Sequence, residues 1–354
     1  MRSRSEPLVE LAVHAADDST EVFVADGKFR RIADGVGRIE VSVVPGLYAV
    51  RFRAGSEQVD RLIEVTGDDP RPQVYGEPVR FEAAAPIEHT ATTREFHAGP
   101  AQDLSMATPL RRGDGGSDLF IFSRDLDPKS RTRPWTGVEV LDLNGERVAR
   151  LKDGETNSDD AFGALHLSVV PGDYRIRVET GDVGTYEMFV HTAVGWQTQV
   201  FLLAEDFWSE GSKVRRPALK NASVFMRRAG LGFQADDEQI RLTELARQGL
   251  VSGREVVRRG ELNDMLWMKY ENPMIAIFAA HLLLLRPPVN HEMIERVARN
   301  LHRLVGDHPD VLALHLRRGV RTPPADIAVP APPKLRLSWD NVSRATRRRG
   351  GLVP

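Results

Sequence analysis

The last third of the chain concentrates the side chains best suited to acid–base or metal chemistry. His281, His291, His302, His308 and His315 are all potential general bases or metal ligands. His291-Glu292 is followed by Glu295 rather than by a second imidazole one helical turn on, so the zinc-peptidase pattern is incomplete. His291, Glu295 and His302 share one helix face, an arrangement that solvation of a helix surface accounts for. His281 sits in an apolar helix and reads as a core histidine with satisfied nitrogens. His89 and His97 lie in a stretch rich in Thr, Ala, Gly and Pro and make no site.

Other chemistry finds no motif. Asn157-Ser-Asp-Asp160 lacks the glycine spacing and closing glutamate of a calcium loop and reads as a solvated loop. There is no nucleophile elbow, phosphate-binding glycine loop or dinucleotide fingerprint. With no cysteine, disulfides, thiolate catalysis and cysteine-bound metals are excluded. Asn221-Ala-Ser and Asn341-Val-Ser match the glycosylation pattern, which matters only in a secreted protein. The sequence therefore assigns no catalytic residue, no cofactor and no metal.

The organising element is a repeat. Ser42-Val-Val-Pro-Gly-Leu-Tyr48 recurs as Ser168-Val-Val-Pro-Gly-Asp-Tyr174, and the same offset aligns Arg51 with Arg177 and Gly55 with Gly181. Ile39, Val41 and Val43 alternate with polar residues before the first Pro-Gly, and Tyr48, Val50 and Phe52 alternate after it. Leu165, Leu167 and Val169, then Tyr174, Ile176 and Val178, repeat the pattern. Proline pre-sets φ and glycine accepts positive φ, so each copy is expected to be a hairpin with one apolar face. Such a face needs a second sheet to cover it. The tyrosine is expected to cap a backbone group, as in the corners of Greek-key sandwiches. Asp26-Gly27 and Asn144-Gly145 mark a preceding hairpin in each copy, and Asp34-Gly35 and Asp153-Gly154 a further matching turn.

These patterns predict a multidomain all-β plus all-α chain, with two tandem antiparallel β-sandwich domains followed by a C-terminal helical bundle. The expected boundaries are 1–86 for the first sandwich, 87–116 for a linker and 117–210 for the second sandwich. A helical domain follows over 211–321 and a Pro-rich extended tail over 322–354. Ser223 to Met226 can add a strand before helical periodicity sets in. Asp236-Asp-Glu starts a helix that Gly249 stops, and Ser252-x-x-Glu255 is a capping box for the next. Asn272-Pro273 opens a helix that is apolar around nearly its whole circumference and should be the buried centre of the helical domain. Asn290 and Pro309 open two more. In the tail, Leu335, Leu337 and Trp339 alternate, as a strand added to a sheet edge or a peptide in a groove would, and are the candidate partner-binding residues.

Composition bounds the remaining choices. The chain has 354 residues, 41% hydrophobic and 28% charged, which suits two or three soluble globular domains. A net charge of −2 offers no general attraction to nucleic acid, and the abundant arginines alternate with carboxylates. The apolar stretch Leu8 to Val13 is interrupted by Glu10 and too short for a signal-peptide core. The longest apolar run, Pro273 to Leu285, falls well short of the ~20 residues a membrane-spanning helix needs. A cytoplasmic protein is expected.

The motif Val-Val-Pro-Gly-x-Tyr-x-x-Arg, at Val43 to Arg51 and Val169 to Arg177, resembles the hairpins of PEGA modules and of transthyretin-like or carboxypeptidase-regulatory-like sandwiches. The resemblance covers about half the chain and implies non-catalytic modules that act in protein or surface contacts. Lys269-Tyr-Glu-Asn-Pro-Met274 and Ala279-Ala-His-Leu-Leu283 are similar to segments of bacterial proteins that accompany caspase-like peptidases. That similarity implies an accessory of a multi-component bacterial system. The first expectation is thus a non-catalytic adaptor whose partner is another protein. The alternatives are a carbohydrate- or small-ligand-binding module using loops around Trp135 and Trp196, and a hydrolase with a dispersed site between sandwich and helices.

Overall fold

The computed structural model describes residues 8–127, 133–180, 184–209, 212–254, 256–257, 259–286, 288–317 and 327–349. Residues 1–7, Glu255 of the expected capping box, Pro287 and 318–326 lie outside that set. The chain divides into two units, Met1–Glu82 with Leu245–Leu262, and Ala83–Glu244 with Asn263–Pro354. Its helices are α1 (Glu95–Met106), α2 (Glu238–Ser252), α3 (Arg259–Trp267), α4 (Pro273–Leu284), α5 (His291–Val305), α6 (Pro309–His315) and α7 (Arg336–Arg349).

In the first unit, alternating apolar residues build β1 (Val9–His14), β2 (Glu21–Asp26), β3 (Arg31–Val36), β4 (Arg38–Val43), β5 (Gly46–Ala54), β6 (Glu57–Val65) and β7 (Gln73–Tyr75). One sheet has the order β4-β1-β7 and the other β3-β2-β5-β6. β1 runs antiparallel to β4 and parallel to β7. Leu11, Val13 and Val43 of the first sheet are buried, as are Val22, Val24, Tyr48, Val50 and Phe52 of the second. The end of α2 belongs to this unit: Gln248 Nε2 donates to the Glu82 carbonyl at 2.7 Å and Arg254 pairs with Glu21 at 3.4 Å. The helix runs through Gly249 instead of stopping there. A Cβ at Gly249 would lie 2.4 Å from a Val256 methyl, so close approach explains the glycine.

The second unit contains β8 (Leu110–Arg111), β9 (Ser117–Arg124), β10 (Val138–Leu141), β11 (Arg147–Arg150), β12 (Glu155–Asn157) and β13 (Phe162–Val169). β14 (Gly172–Glu179), β15 (Thr185–Thr192), β16 (Trp196–Ser209), β17 (Ser212–Pro217) and β18 (Ser223–Arg228) complete it. One sheet is ordered β11-β10-β14-β15; the other runs β12-β13-β9-β16-β17, with β18 on β16 and β8 on β13. Here β9 is antiparallel to β13 and parallel to β16, as β1 is to β4 and β7. The order β11-β10-β14-β15 likewise matches β3-β2-β5-β6. The repeat seen in a seven-residue motif is therefore a repeat of strand order and direction. Leu119, Ile121, Leu167 and Val200 join Val140, Ile176, Val178 and Val190 in one apolar cluster drawn from both sheets.

Pro-Gly does something other than the expected hairpin turn. β4 pairs with β1, while β5 pairs with β2 and β6, so Pro45-Gly46 carries the chain from one sheet to the other. Pro171-Gly172 does the same between β13 and β14. Period-two patterning specifies a strand on each side of a turn but not its hydrogen-bonded neighbour. The tyrosines hold these corners: Tyr48 Oη donates to the Val44 carbonyl at 2.6 Å, and Tyr174 Oη to the Val170 carbonyl at 2.7 Å. Asp26-Gly27 and Asn144-Gly145 do close hairpins, β2–β3 and β10–β11. Asp34-Gly35 lies inside β3, and the chain turns instead at Gly37, where φ is +70°.

Two other expectations are revised. The stretch 87–116, expected as a linker, contains α1, which tolerates Pro100 in its interior and buries His97, Ala101 and Ser105. Just ahead of it Ala83, Ala84, Ala85 and Ile87 are buried, and Arg124 donates to the carbonyls of Ala83, Ala84, Ala85 and Thr92 at 2.7–3.1 Å. The tail, expected to be extended, forms α7 over Arg336–Arg349. Leu335, Ser338 and Val342 fall on one buried face with helical spacing, a period that the alternation of Leu335, Leu337 and Trp339 conceals. The helix start is capped from a distance: Asp310 accepts the backbone N–H groups of Lys334 and Leu335 at 3.2 and 2.9 Å. α4 is the buried centre expected of it, with Met274 through Leu282 all buried.

Candidate functional site

The histidine-rich region folds into a buried polar cluster where β15 meets α4, α6 and the start of α7. His191 projects from β15, a strand whose Val190 fills the apolar core on the opposite face. Its Nδ1 faces Asp173 Oδ1 and its Nε2 the Val305 carbonyl, each at 2.8 Å. The His308 ring lies 5.3 Å from it, edge to face, and His308 Nδ1 accepts the Asp310 N–H at the start of α6. Burial, with help from the neighbouring imidazole of His191, pulls His308 down to about 3, so it is neutral at physiological pH. A cavity of about 20 Å³ between Asp173, His191, His308, Asp310 and Lys334 has room for about one water molecule.

His281 extends the cluster into α4. Its Nδ1 faces the Ile277 carbonyl and its Nε2 the Ser338 hydroxyl, both at 2.8 Å. A serine hydroxyl on an imidazole is the contact an activated nucleophile needs. Both side chains are wholly buried, and desolvation pushes the imidazole below its ordinary value. The bond therefore fastens α7 to α4, with both side chains out of contact with solvent.

The other histidines separate. His291 is exposed at the start of α5, and His302 faces Asp307 at 2.9 Å. His315 stacks edge to face on His302 at 5.8 Å. His97 is buried against Phe96, Phe122 and Phe162, and its Nε2 meets the Asp160 carbonyl at 2.7 Å. Burial takes it down to about 4. Among the described residues, no three histidine or carboxylate groups converge as a metal site would require.

The residues expected to bind a partner are mostly committed within the chain. Leu335 is buried, Leu337 is half-buried, and only Trp339, 43% exposed, keeps much of its ring in solvent. Trp196 is also structural: its Nε1 donates to the Leu304 carbonyl at 3.0 Å and Arg228 stacks on its ring at 4.0 Å. Trp135 packs its side chain over Gly163, where a Cβ would come within 2.7 Å of it. Next to it lies a groove of about 340 Å³ lined by Arg133, Glu139, Arg150, Lys152 and Glu179.

Exposed aromatic surface appears where the sequence did not direct attention. β16 pairs with β9 only as far as Leu203 and with β18 only as far as Phe201. From Ala204 to Ser209 its partner among the described residues is β17 alone, so the two strands form a ribbon. A two-stranded ribbon is marginal by itself. Arg215 braces this one by gripping the buried Asp125 carboxylate at 2.7–3.0 Å and the Ala204 carbonyl at 2.9 Å. Phe207 packs against Tyr186, while Trp208, next along the strand, points away and is 71% exposed. A second aromatic patch pairs Trp267, 72% exposed, with Tyr270 across the Lys269 ammonium, 4.8 and 4.5 Å from the two rings.

No protein-family model matches the chain, and no curated protein matches it. Among solved structures it is similar to the Bacillus anthracis TIE protein, with 9% identity over 52% of this chain and 31% of that chain, at a TM-score of 0.21. It is also similar to BcpA, the major pilin subunit of Bacillus cereus, with 9% identity over 62% of this chain and 84% of that chain, at a TM-score of 0.18. The chain thus spans less than a third of the length of the first of these. Likenesses at those scores carry neither fold nor function across.

Proposed function

We propose that the protein is a non-catalytic adaptor that holds another protein. The observation that carries the reading is Trp208, presented to solvent on a braced ribbon. Covering the exposed part of an indole is worth roughly 3 kcal/mol, which an isolated chain forgoes. Rigid exposed tryptophans are the residue type that dominates binding energy in protein interfaces. Under the same proposal the two repeats are β-sandwiches in tandem, of PEGA-like or transthyretin-like kind. The matched strand orders and the two tyrosine-held corners support that description.

The test places a photo-crosslinking benzophenone amino acid at position 208 of the full chain in its native host. The expected result is a discrete heavier adduct absent when the probe replaces Lys220, a polar control whose side chain is 72% exposed. Equal labelling at both positions, or none at 208, overturns the adaptor. A second reading, a small-ligand module, is favoured by the groove beside Trp135, whose volume falls in the range of ligand pockets.

A further inference from the structure

β6 is the longest edge strand of the first unit among the described residues. It ends the order β3-β2-β5-β6, and its nine residues pair with β5 without a bulge, from Glu57 opposite Ala54 to Val65 opposite Gly46. Among the described residues, no backbone or side-chain hydrogen bond reaches the backbone of Glu57 to Val65 other than those to β5. The equivalent strand of the second unit is treated differently. On β15 the His191 carbonyl takes the Thr198 hydroxyl at 2.6 Å and the His191 ring is tied to Val305. Exposed edges are usually shortened, bulged or broken by proline, because they template further strands. β6 has neither bulge nor proline over nine residues, its charged side chains being the edge protection it carries, and β-branched Val59, Ile63 and Val65 favour the extended state.

Its charges choose the occupant. Arg51 neutralises Asp60 at 2.6 Å, and Arg61, which donates to the Tyr75 carbonyl at 2.9 Å, keeps its charge on the face of Val59 and Ile63. Glu64 has no partner among the described residues, and Glu57 receives only the Ser56 hydroxyl at 3.3 Å. A second copy fits badly. The antiparallel registers that keep seven or more residues paired and set like face against like face place Asp60 against Asp60, Arg61 against Arg61, or Asp60 against Glu64, and like charges directly opposite are repulsive. The geometry points to an extended segment of another protein, basic on the face beside Leu62 and Glu64 and apolar on the face beside Val59 and Ile63, added to β6 as a further strand. Leu62, 78% exposed beside Ala49, offers apolar surface to the stems of such basic side chains. This deepens the adaptor reading by naming a partner chemistry and a second docking surface.

The experiment titrates the full chain with the fluorescent peptide Lys-Val-Lys-Thr-Lys-Val-Lys and with its counterpart carrying Glu for Lys. Anisotropy reads binding, and hydrogen exchange reads protection at 57–65. The lysine peptide is expected to bind more tightly and to slow exchange of β6 amides. Glu64→Lys, an exposed change, is expected to weaken the lysine peptide by about fivefold and to strengthen the glutamate peptide. No binding of the lysine peptide, binding without protection of β6, or an unchanged preference in Glu64→Lys each overturns the proposal. Because this readout is local to β6, it can fail while crosslinking at 208 succeeds, and the reverse.

Discussion

Replacing Arg124 with methionine tests how the segment before α1 is held. Arg124 is wholly buried, with burial and the nearby Arg94 charge taking its guanidinium down to about 9, still protonated at neutral pH. It has four carbonyl acceptors, and two of them keep other donors. The Ala83 carbonyl also receives the Thr92 hydroxyl, and the Ala85 carbonyl the Ile87 N–H. The Ala84 and Thr92 carbonyls have Arg124 alone among the described residues. Each buried acceptor left bare costs about 2 kcal/mol, so the variant should lose about 4 kcal/mol. In a unit of this size that lowers the melting temperature by about 8–16 °C. The assay is simplified by the placement of the tryptophans: all five, Trp135, Trp196, Trp208, Trp267 and Trp339, lie in the second unit. Intrinsic fluorescence therefore follows that unit's unfolding without the first. A shift below about 2 °C would refute the view that Arg124 clamps this segment.

Three further outcomes are expected. Tyr48→Phe and Tyr174→Phe should each cost about 1 kcal/mol, the Tyr174 variant alone shifting the fluorescence transition. Asp310→Ala removes the cap of α7 and should cost about 1–2 kcal/mol, with loss of helical circular dichroism on heating before the main transition. His97 has a folded value near 4 against an ordinary 6.5, so the unfolded chain binds more protons between those values. Its contribution is complete above pH 6.5 and lost as pH falls toward 4, about 3 kcal/mol in all, and His97→Gln should flatten that part of the stability profile.

Much of the architecture is legible locally. Alternation placed strands around both Pro-Gly motifs, Asx-Gly pairs placed two hairpins, and an all-round apolar run marked α4 as buried. These succeed because periodicity and turn chemistry act over a few residues. Where the deciding contact is remote, the pattern misleads. The Thr- and Ala-rich stretch containing α1 is ordered by Arg124 and by aromatic rings from β9 and β13. The tail's helix depends on an Asp310 cap 25 positions before Leu335.

The same division governs the site. Sequence alone established that the chain repeats, that its apolar faces must be covered, and that its histidines match no known catalytic spacing. Only tertiary structure decided that Pro-Gly joins two sheets, that Leu335 is buried while Trp208 is exposed, and that, among the described residues, β6 is left open while β15 is tied down. Side-chain pattern determines which face of a strand seeks burial. Which neighbour supplies that burial, and which edge goes without one, depends on contacts between residues far apart in the chain.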